Sequence, residues 1–470
     1  MEDQQERAGQ FRAVDIASLA QELREQRAAA NSSAAQLDGV SAIIIAEVDG
    51  PTRNVDPAEY DPHHVSIGPY HRIKNPGLAR DDEKIRSLDA IMSAASPSTT
   101  EEVYLGELAR LEGRARRCYA HTFGMESKEF LTMLLLDGCY VLAHFGDVQT
   151  VDGVRRRSGG PAVNGHVQGA FHRSSAEPEA VAVVRDVFYL AENQIPFFVV
   201  DMIRKLTISY DGVLEVDPIA GYVREILDKH QYSVATPAVV EPGNLLHLLH
   251  MHLRPTILSP ATGDEATPTG LPVGRWRTAM EYRFVGVKFK SRPIGITDKA
   301  RCILDVSFDS GGNTLEVPCL NIDAETFRIL RNLMALEKHN PDAAGSSVTA
   351  YCVFMSQMAC TEGDVELLSR IGVIVHRLGN HKEVSTWFSD LCKGVVFDAD
   401  DPDRNYLRAM CQALEKRFRS RPRRWMALLG QKYFANPWLG VGVIAAAIGL
   451  ACAVVQAVYS VLSYRQGAVK

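Results

Sequence analysis

The chain has 470 residues, of which 46% are hydrophobic and 23% are charged. These are the proportions of ordinary globular proteins, so they exclude a largely disordered chain and a protein built mainly of membrane spans. With 51 basic against 57 acidic residues, the formal net charge is -6, and no nucleic-acid partner is expected because such binders normally carry a basic surplus.

The cysteines and the N-terminus both favour the cytosol. The 9 cysteines form an odd set without a CxxC pair, so reduced thiols are expected rather than a disulfide framework. The first residues are polar and lack the apolar core of a secretory signal. We expect a flexible segment at 1–41, followed by one globular domain at 42–430.

The pattern of apolar residues predicts a mainly α (α+β) body. Helical periodicity recurs along most of the domain, at 80–93, 101–123, 128–145, 180–205, 324–338, 348–358, 365–371 and 405–418. The β-rich runs 302–308 and 314–319 flank Ser-Gly-Gly-Asn, which predicts a small antiparallel hairpin, and 284–290 could add a third strand. Stretches rich in Gly, Pro, Ser or Thr at 155–179 and 254–274 indicate surface loops.

A C-terminal transmembrane helix is predicted at 436–464. There is no charged residue between Lys432 and Arg465, and the apolar centre at 438–457 has roughly the 20 residues that a bilayer core requires. Trp438 and Tyr459 lie near its two ends, as in the aromatic belts of membrane proteins. The alternative is a buried core helix of the body, which is rarely apolar on every face over this length.

Small residues on this helix and basic residues before it predict its orientation and its contacts in a membrane. Small residues recur every four positions and could let two such helices pack closely as a homo-oligomer, or they could be simple filler; they are Ala445, Gly449, Ala453 and Ala457. Basic residues precede the helix and could bind lipid headgroups, or they could be an ordinary solvated helix face; they are Arg417, Arg419, Arg421, Arg423, Arg424 and Lys432. By the positive-inside rule, the body is expected in the cytosol on a single-pass anchor in a plasma membrane or endomembrane.

Two groups of histidines are candidate metal or ligand sites. The run YDPHHVSIGPYH at 60–71 could form a pocket, but His63 and His64 point apart in an extended chain, which favours a structural turn packed with aromatic residues. His247 and His250 share a helical face and could bind zinc, yet no acidic or cysteine partner lies at a useful offset. We therefore expect core histidines, with no metal and no cofactor.

Two carboxylates lie among large apolar side chains and are the best candidates for acid–base chemistry. These are Asp137 in LTMLLLDGCYVL and Glu192 in FYLAENQIPFFVV. Burial raises the pKa of a carboxyl, and a buried pair could exchange protons with a substrate. The structural interpretation is favoured: Pro196 must interrupt its helix, so that Asn193, Gln194 and Glu192 could bond the freed backbone. Gly138 would permit close helix packing at the same place.

No phosphate loop, dinucleotide fingerprint, nucleophile elbow or kinase motif is found in the sequence, so no enzyme class is indicated. Several motifs together resemble the plant family known as domain of unknown function 247, especially its grass members. They are YDP at 60–62, VSIGPYH at 65–71, LDGCY at 136–140, ENQIPFF at 192–198, GVKF at 286–289, LDVSF at 304–308, RNL at 331–333 and NPW at 436–438. Ala191 departs from the family pattern, in which a second leucine is usual.

The resemblance implies a single-span membrane protein without established catalytic residues. Some grass members are associated with the pollen side of self-incompatibility, which implies recognition or signalling. Three functions are therefore considered: a membrane-tethered module that binds an unidentified protein partner, which we favour; a membrane-associated enzyme that uses Asp137 and Glu192; and a passive scaffold.

Overall fold

The structure is a computed structural model that describes residues 43–146, 178–208, 217–237, 240–256, 277–297, 299–311, 313–419 and 437–467. Nearly all of these belong to the second of two compact units, Met1–Ile43 and Ile44–Lys470. The predicted segment 1–41 and most of the predicted loops 155–179 and 254–274 lie outside the described residues.

Helices dominate the described residues, which confirms the mainly α prediction. In chain order they are α1 Gly50–Arg53, α2 Pro69–Lys74, α3 Asp81–Ala94, α4 Glu101–Arg117, α5 Ser127–Phe145, α6 Pro178–Phe188, α7 Phe197–Thr207, α8 Pro218–His230, α9 Leu245–Met251, α10 Ala279–Phe284, α11 Thr326–His339, α12 Pro341–Ala344, α13 Ser347–Met358, α14 Glu362–Ile371, α15 His381–Leu391, α16 Arg408–Arg419 and α17 Pro437–Gly467. Two short 3₁₀ turns lie at Pro57–Glu59 and Pro76–Leu78.

Helix α5 is the centre of the N-terminal half of the body. All residues from 133 to 142 are buried, because α3, α4 and α7 pack around this helix. Gly138 lies where α7 crosses: a Cβ placed there would come within 2.4 Å of Ile203 Cδ1. The prediction that Gly138 permits close helix packing is therefore confirmed.

The C-terminal half is organised around α11, α13, α14 and α15. Helix α11 packs against α13, and α14 packs against α15. The limits of α14 are encoded locally: Thr361 and Asp364 form a capping box at its start, and Gly372 ends it at a φ of 81°.

The predicted helix at 180–205 is wrong as one element, because the chain forms α6 and α7 with a break between them. Pro196 has no N–H to continue a helix. Asn193 Nδ2 donates to the Asp186 carbonyl at 2.9 Å, and Gln194 Nε2 donates to the Val187 and Leu190 carbonyls at 2.9 and 3.0 Å. The Asn193 and Gln194 side-chain amides thus bond the free carbonyls at the end of α6, as predicted. The Glu192 side chain does not take part and accepts from Val48 N–H instead.

In the described ranges, five short strands form two small sheets. They are β1 Lys288–Arg292, β2 Ser307–Asp309, β3 Thr314–Pro318, β4 Leu320–Ile322 and β5 Ile374–His376. Strands β2 and β3 form the predicted antiparallel hairpin, and β1 adds to β3 in parallel, whereas β4 pairs with β5 in parallel. The predicted strand 302–308 begins only at Ser307, because the Asp305 carboxylate accepts from the Arg301 and Cys302 N–H groups and closes a turn.

Helix α17 is formed by the residues of the predicted anchor. Its side chains are described at 442, 445, 446 and 448–460. Among the residues that the structure describes, no helix has the length and apolar character that crossing a membrane requires. The predicted transmembrane helix is therefore not supported by the structure.

Candidate functional site

The extended segment 63–68 is held by buried side chains from distant parts of the chain. At the end of α6 the Asp186 carboxylate, which is fully buried, accepts from three successive backbone N–H groups. The donors are His63 at 3.1 Å, His64 at 2.6 Å and Val65 at 2.9 Å. A carboxylate that accepts several backbone N–H groups forms strong hydrogen bonds and fixes the peptide that it binds.

Asn193 continues this ladder along the same segment. Its Oδ1 accepts from Ile67 N–H at 2.7 Å, and its Nδ2 donates to the Val65 carbonyl at 3.0 Å. Both contacts are buried, so the polar backbone of 63–68 is bonded although it lies in the interior. The run at 60–71 is therefore a packed structural element, as the sequence favoured.

Asp137 lies opposite Lys84 in a fully buried ion pair. Lys84 Nζ is 2.5 Å from Asp137 Oδ1, and both side chains have no solvent exposure. Lys84 also donates to the Ser66 carbonyl at 2.7 Å, and Gly68 N–H donates to Asp137 Oδ2 at 2.7 Å. The pair thus uses its charges to hold α3, α5 and the 63–68 segment together, which leaves no open face on the carboxylate.

Glu192 collects a second set of partners at the start of the body. Its Oε1 accepts from Val48 N–H at 2.5 Å. Its Oε2 lies 2.6 Å from Arg53 Nη2, 3.3 Å from His71 Nε2 and 3.4 Å from Lys74 Nζ. The carboxylate is therefore surrounded by cationic or hydrogen-bonding groups from α1 and α2.

The electrostatics of Glu192 oppose a role as a proton donor. Burial alone would raise the pKa of this carboxyl, but the His71 and Arg53 side chains and Val48 N–H lower the pKa to about 2. The group is ionised at neutral pH. Asp137 and Glu192 each belong to a separate ion pair, so the two carboxylates that were candidates for acid–base chemistry do not form a shared site.

The histidines of α9 are built into the core. The His250 Nε2 lies 2.9 Å from Glu337 Oε1, and burial lowers the pKa of His247 to about 3. Glu337 also accepts from Val348 N–H and from both the N–H and the Oγ1 of Thr349. No group of three or more metal-binding side chains occurs within the described parts of the chain.

Arg331 is a buried guanidinium that closes the end of α15. Its Nη1 donates to the carbonyls of Asp390, Leu391 and Lys393 at 3.0 to 3.1 Å. Its Nη2 donates to the Thr52 carbonyl at 2.6 Å, and its Nε donates to Tyr60 Oη at 2.8 Å. A cation at a helix C-terminus is favourable because the last carbonyls carry partial negative charge.

A cavity of about 230 Å³ lies between α11 and the segment 395–404, and we call it the α11 cavity. One face of α11 forms a wall, with Arg331, Met334, Ala335 and Lys338 at helical spacing. The other lining residues include Thr52, Glu337, Pro341, Ser346, Thr349, Val395, Val396, Phe397, Asp398, Asp401 and Arg404. Sequence reasoning did not single out this cavity, because its walls come from separate parts of the chain.

The predicted anchor residues lie on α17 or outside the described side chains. Those with described side chains are all exposed: Ala445, Gly449, Ala453, Ala457 and Tyr459. The side chain of Trp438 and the residues Arg421, Arg423, Arg424 and Lys432 lie outside the description. On α16, Arg417 is buried, whereas Arg419 Nε lies 2.7 Å from Glu415 Oε1.

The fold and these contacts define a helix-rich protein whose internal polar groups hold distant segments together. The chain belongs to the plant family domain of unknown function 247, whose model, described as a plant protein of unknown function, matches residues 45–452.

Two relatives from Arabidopsis thaliana illustrate the likeness. The chain is 23% identical over 431 residues to UPF0481 protein At3g47200, covering 87% of this chain and 84% of the relative. It is 34% identical over 111 residues to putative UPF0481 protein At3g02645, covering 23% of this chain and 20% of the relative. No solved structure matches the chain.

Several central residues were missed from the sequence. Asp186 lies three residues after Val183 and four before Leu190, which are both buried, so helical spacing places it on the buried face of α6. Lys84 could have been found, because Ser87 and Ile91 follow it at helical spacing and define a buried stripe that includes it. A lysine on such a stripe requires an acidic partner.

Proposed function

We propose that this chain is a membrane-tethered recognition protein whose helical body, in the cytosol, binds another protein. The observation that carries this proposal is the exposure of an apolar helix. In α17 all described side chains at 448–460 are exposed, including Ile448 at 60%, Leu450 at 68% and Val454 at 56%. Exposed apolar surface of this kind is typical of sites that contact a membrane or a protein partner.

The sequence around α17 favours a bilayer as that cover. No charged residue lies between Lys432 and Arg465, whereas the surface helices of soluble proteins carry a polar face. The basic residues before the helix favour a cytosolic body. The exposed small residues of α17 would allow two copies to associate within the membrane.

The contacts of the buried carboxylates support binding over catalysis. Asp137 forms an ion pair with Lys84, and Glu192 forms one with Arg53. In the described residues, both carboxylates therefore have structural partners. A membrane-associated enzyme using these two groups would need one of them to exchange protons with a substrate. The low pKa of Glu192 disfavours that alternative.

The test is the topology of the full chain with a glycosylation acceptor appended after Lys470. We expect the product to resist carbonate extraction and to be glycosylated, because the tail would lie in the lumen. Ile448→Arg should reduce integration, since a charge near the span centre costs roughly 2.5–3.5 kcal/mol. Ile296→Arg is the matched control, because Ile296 is 77% exposed and lies outside α17.

Three outcomes are informative. A wild-type chain that carbonate releases would contradict the tether. An integral chain that is unglycosylated, with its body protected from added protease, would reverse the orientation. Equal loss of integration in both arginine variants would show that α17 is not the anchor.

A further inference from the structure

We infer that the α11 cavity is a docking site for a basic, extended peptide of a partner protein, with one apolar side chain of the peptide in the cavity. This inference rests on the proposed binding function and gives it a location. It depends on three features of the described residues: the size of the cavity, the internal hydrogen bonds of the charged groups in its floor, and the composition of its rim.

The size of the cavity suits a single side chain. Its volume is about 230 Å³, below the roughly 300–1,000 Å³ of pockets that enclose drug-sized ligands and cofactors. Met334, Ala335 and Pro341 contribute apolar surface from the α11 side, and Val395 and Phe397 contribute it from the opposite side. An aliphatic or aromatic side chain of a bound peptide would bury this surface.

The charged groups in the floor are already bonded within the protein. Arg331 donates to carbonyl and phenol oxygens through all three nitrogens, and Glu337 accepts at both oxygens from His250, α13 N–H groups and Thr349 Oγ1. Most of the hydrogen-bonding capacity of these two groups is therefore used within the protein, so the floor favours an apolar group over a charged one.

The rim combines exposed apolar surface with acidic charge. Val396 is 94% exposed although it lies in the apolar run Val395–Val396–Phe397. The next residues, 398–404, contain four aspartates and one arginine, a net charge of -3 by 1 - 4. Across the cavity, Lys338 is paired with Asp49 at 2.6 Å and therefore adds no net charge.

Charge complementarity identifies the chemistry of the partner. A peptide with lysine or arginine on either side of an apolar residue would place its cations along 398–403 and its apolar side chain over Met334. Such complementarity mainly sets specificity and association rate. The same acidic rim disfavours nucleic acids and anionic headgroups as occupants.

The experiment selects peptides from a random phage-displayed library on the full chain in detergent micelles. We expect enrichment of sequences that have one apolar residue flanked by lysine or arginine. One enriched peptide, labelled with fluorescein, is then titrated by anisotropy against wild-type protein and the rim variants Asp398→Lys/Asp403→Lys and Val396→Asp. Each rim variant should weaken binding at least ten-fold, because the exposed Asp398, Asp403 and Val396 supply the negative charge and the apolar surface of the rim.

The control is Glu225→Lys, which reverses one charge on an exposed position of α8 and should change the affinity less than two-fold. Thermal melting of all variants checks that the body stays folded. Peptides that bind wild type and rim variants equally would overturn this site while leaving the binding function intact. A library without enrichment would contradict both. Concentration-dependent self-association that the rim substitutions abolish would assign the surface to a second copy and overturn the peptide.

Discussion

At the scale of single residues, the protein keeps charges in its interior by giving each several partners. Lys84 and Asp137 are both without solvent exposure, and isolated charges in such positions would be strongly unfavourable. Each also bonds the backbone of 63–68, so the pair contributes hydrogen bonds besides its mutual attraction. The expected result is a defined packing of α3 against α5 rather than a large net gain in stability.

The ionisation of Glu192 makes the stability of the protein depend on pH. Its pKa is about 2 in the folded protein against an ordinary value of 4.5, so its interactions are fully present above about pH 4.5. They are lost as the pH falls from there toward 2, because the unfolded chain binds the proton first. The shift corresponds to about 3 kcal/mol of stability at neutral pH.

The prediction compares wild type with Glu192→Gln by urea unfolding of the full chain in detergent. At pH 7 the variant should be less stable by about 3 kcal/mol, and the difference should shrink as the pH is lowered to 3. Glu366→Gln is the control, because Glu366 is half-exposed on α14 and, within the described part of the chain, pairs only with Arg370. A difference between Glu192→Gln and wild type that stays constant with pH would show that the ionisation of Glu192 does not contribute to stability.

At the scale of elements, the turn before α2 requires a glycine for two reasons. Gly68 has a φ of 77°, which is unfavourable for other residues, and its backbone approaches the break between α6 and α7. A Cβ at this position would lie 2.3 Å from the Gln194 carbonyl oxygen. Asn193 Oδ1 and Asp137 Oδ2 accept from the Ile67 and Gly68 N–H groups, so this backbone cannot easily move away from the Gln194 carbonyl.

Gly68→Ala should therefore destabilise the body by more than 3 kcal/mol, since the clash adds to about 1–2 kcal/mol of backbone strain. Gly286→Ala separates the two effects, because Gly286 has a φ of 83° but no atom within 4 Å of the added Cβ. That control should lose only the strain. Urea unfolding measures both, and equal losses would mean that the approach of Gln194 is not important.

The helices were predictable where one face is apolar, and the exceptions have specific physical causes. The predicted limits 128–145 match α5 at Ser127–Phe145 almost completely, because its apolar residues are continuous. The prediction of one helix at 180–205 failed because the Asn193 and Gln194 side chains bond the carbonyls at the end of α6 and stabilise a break there. The spacing of apolar residues does not report such hydrogen bonds. The pairing of β1 with β3 in parallel also could not be predicted, since it joins strands that are not neighbours in the chain.

The candidate site was less predictable than the fold. Asp137 and Glu192 were recognised as buried from their apolar neighbours, and the structural interpretation agrees with their contacts in the described residues. Their partners Lys84 and Arg53 lie 53 and 139 positions away, separations that sequence periodicity does not report. The α11 cavity could not be anticipated, because its opposite walls are about 60 positions apart and neither has a motif of its own.

At the scale of the whole molecule, Arg331 connects three parts of the chain. Near the start of the body it bonds Tyr60 and Thr52, which lie 271 and 279 positions before it in the chain. Toward the C-terminus it bonds carbonyls at the end of α15, which lie 59 to 62 positions after it. Long-range bonds of this kind make local opening at one end costly at the other. The N-terminal and C-terminal halves should therefore unfold together.

Arg331→Met tests this coupling, because it keeps the apolar stem and removes five hydrogen bonds. Each buried acceptor left unpaired costs about 1–3 kcal/mol, so a loss of at least 3 kcal/mol is expected. Hydrogen exchange on the full chain should show faster exchange at 50–60 and 381–393 simultaneously. Arg370→Met is the control, since Arg370 is a surface residue and should change stability by less than about 1 kcal/mol. Faster exchange limited to 381–393 would mean that Arg331 merely caps α15, and that the N-terminal segment is held independently by Glu192, Asp186 and Asn193.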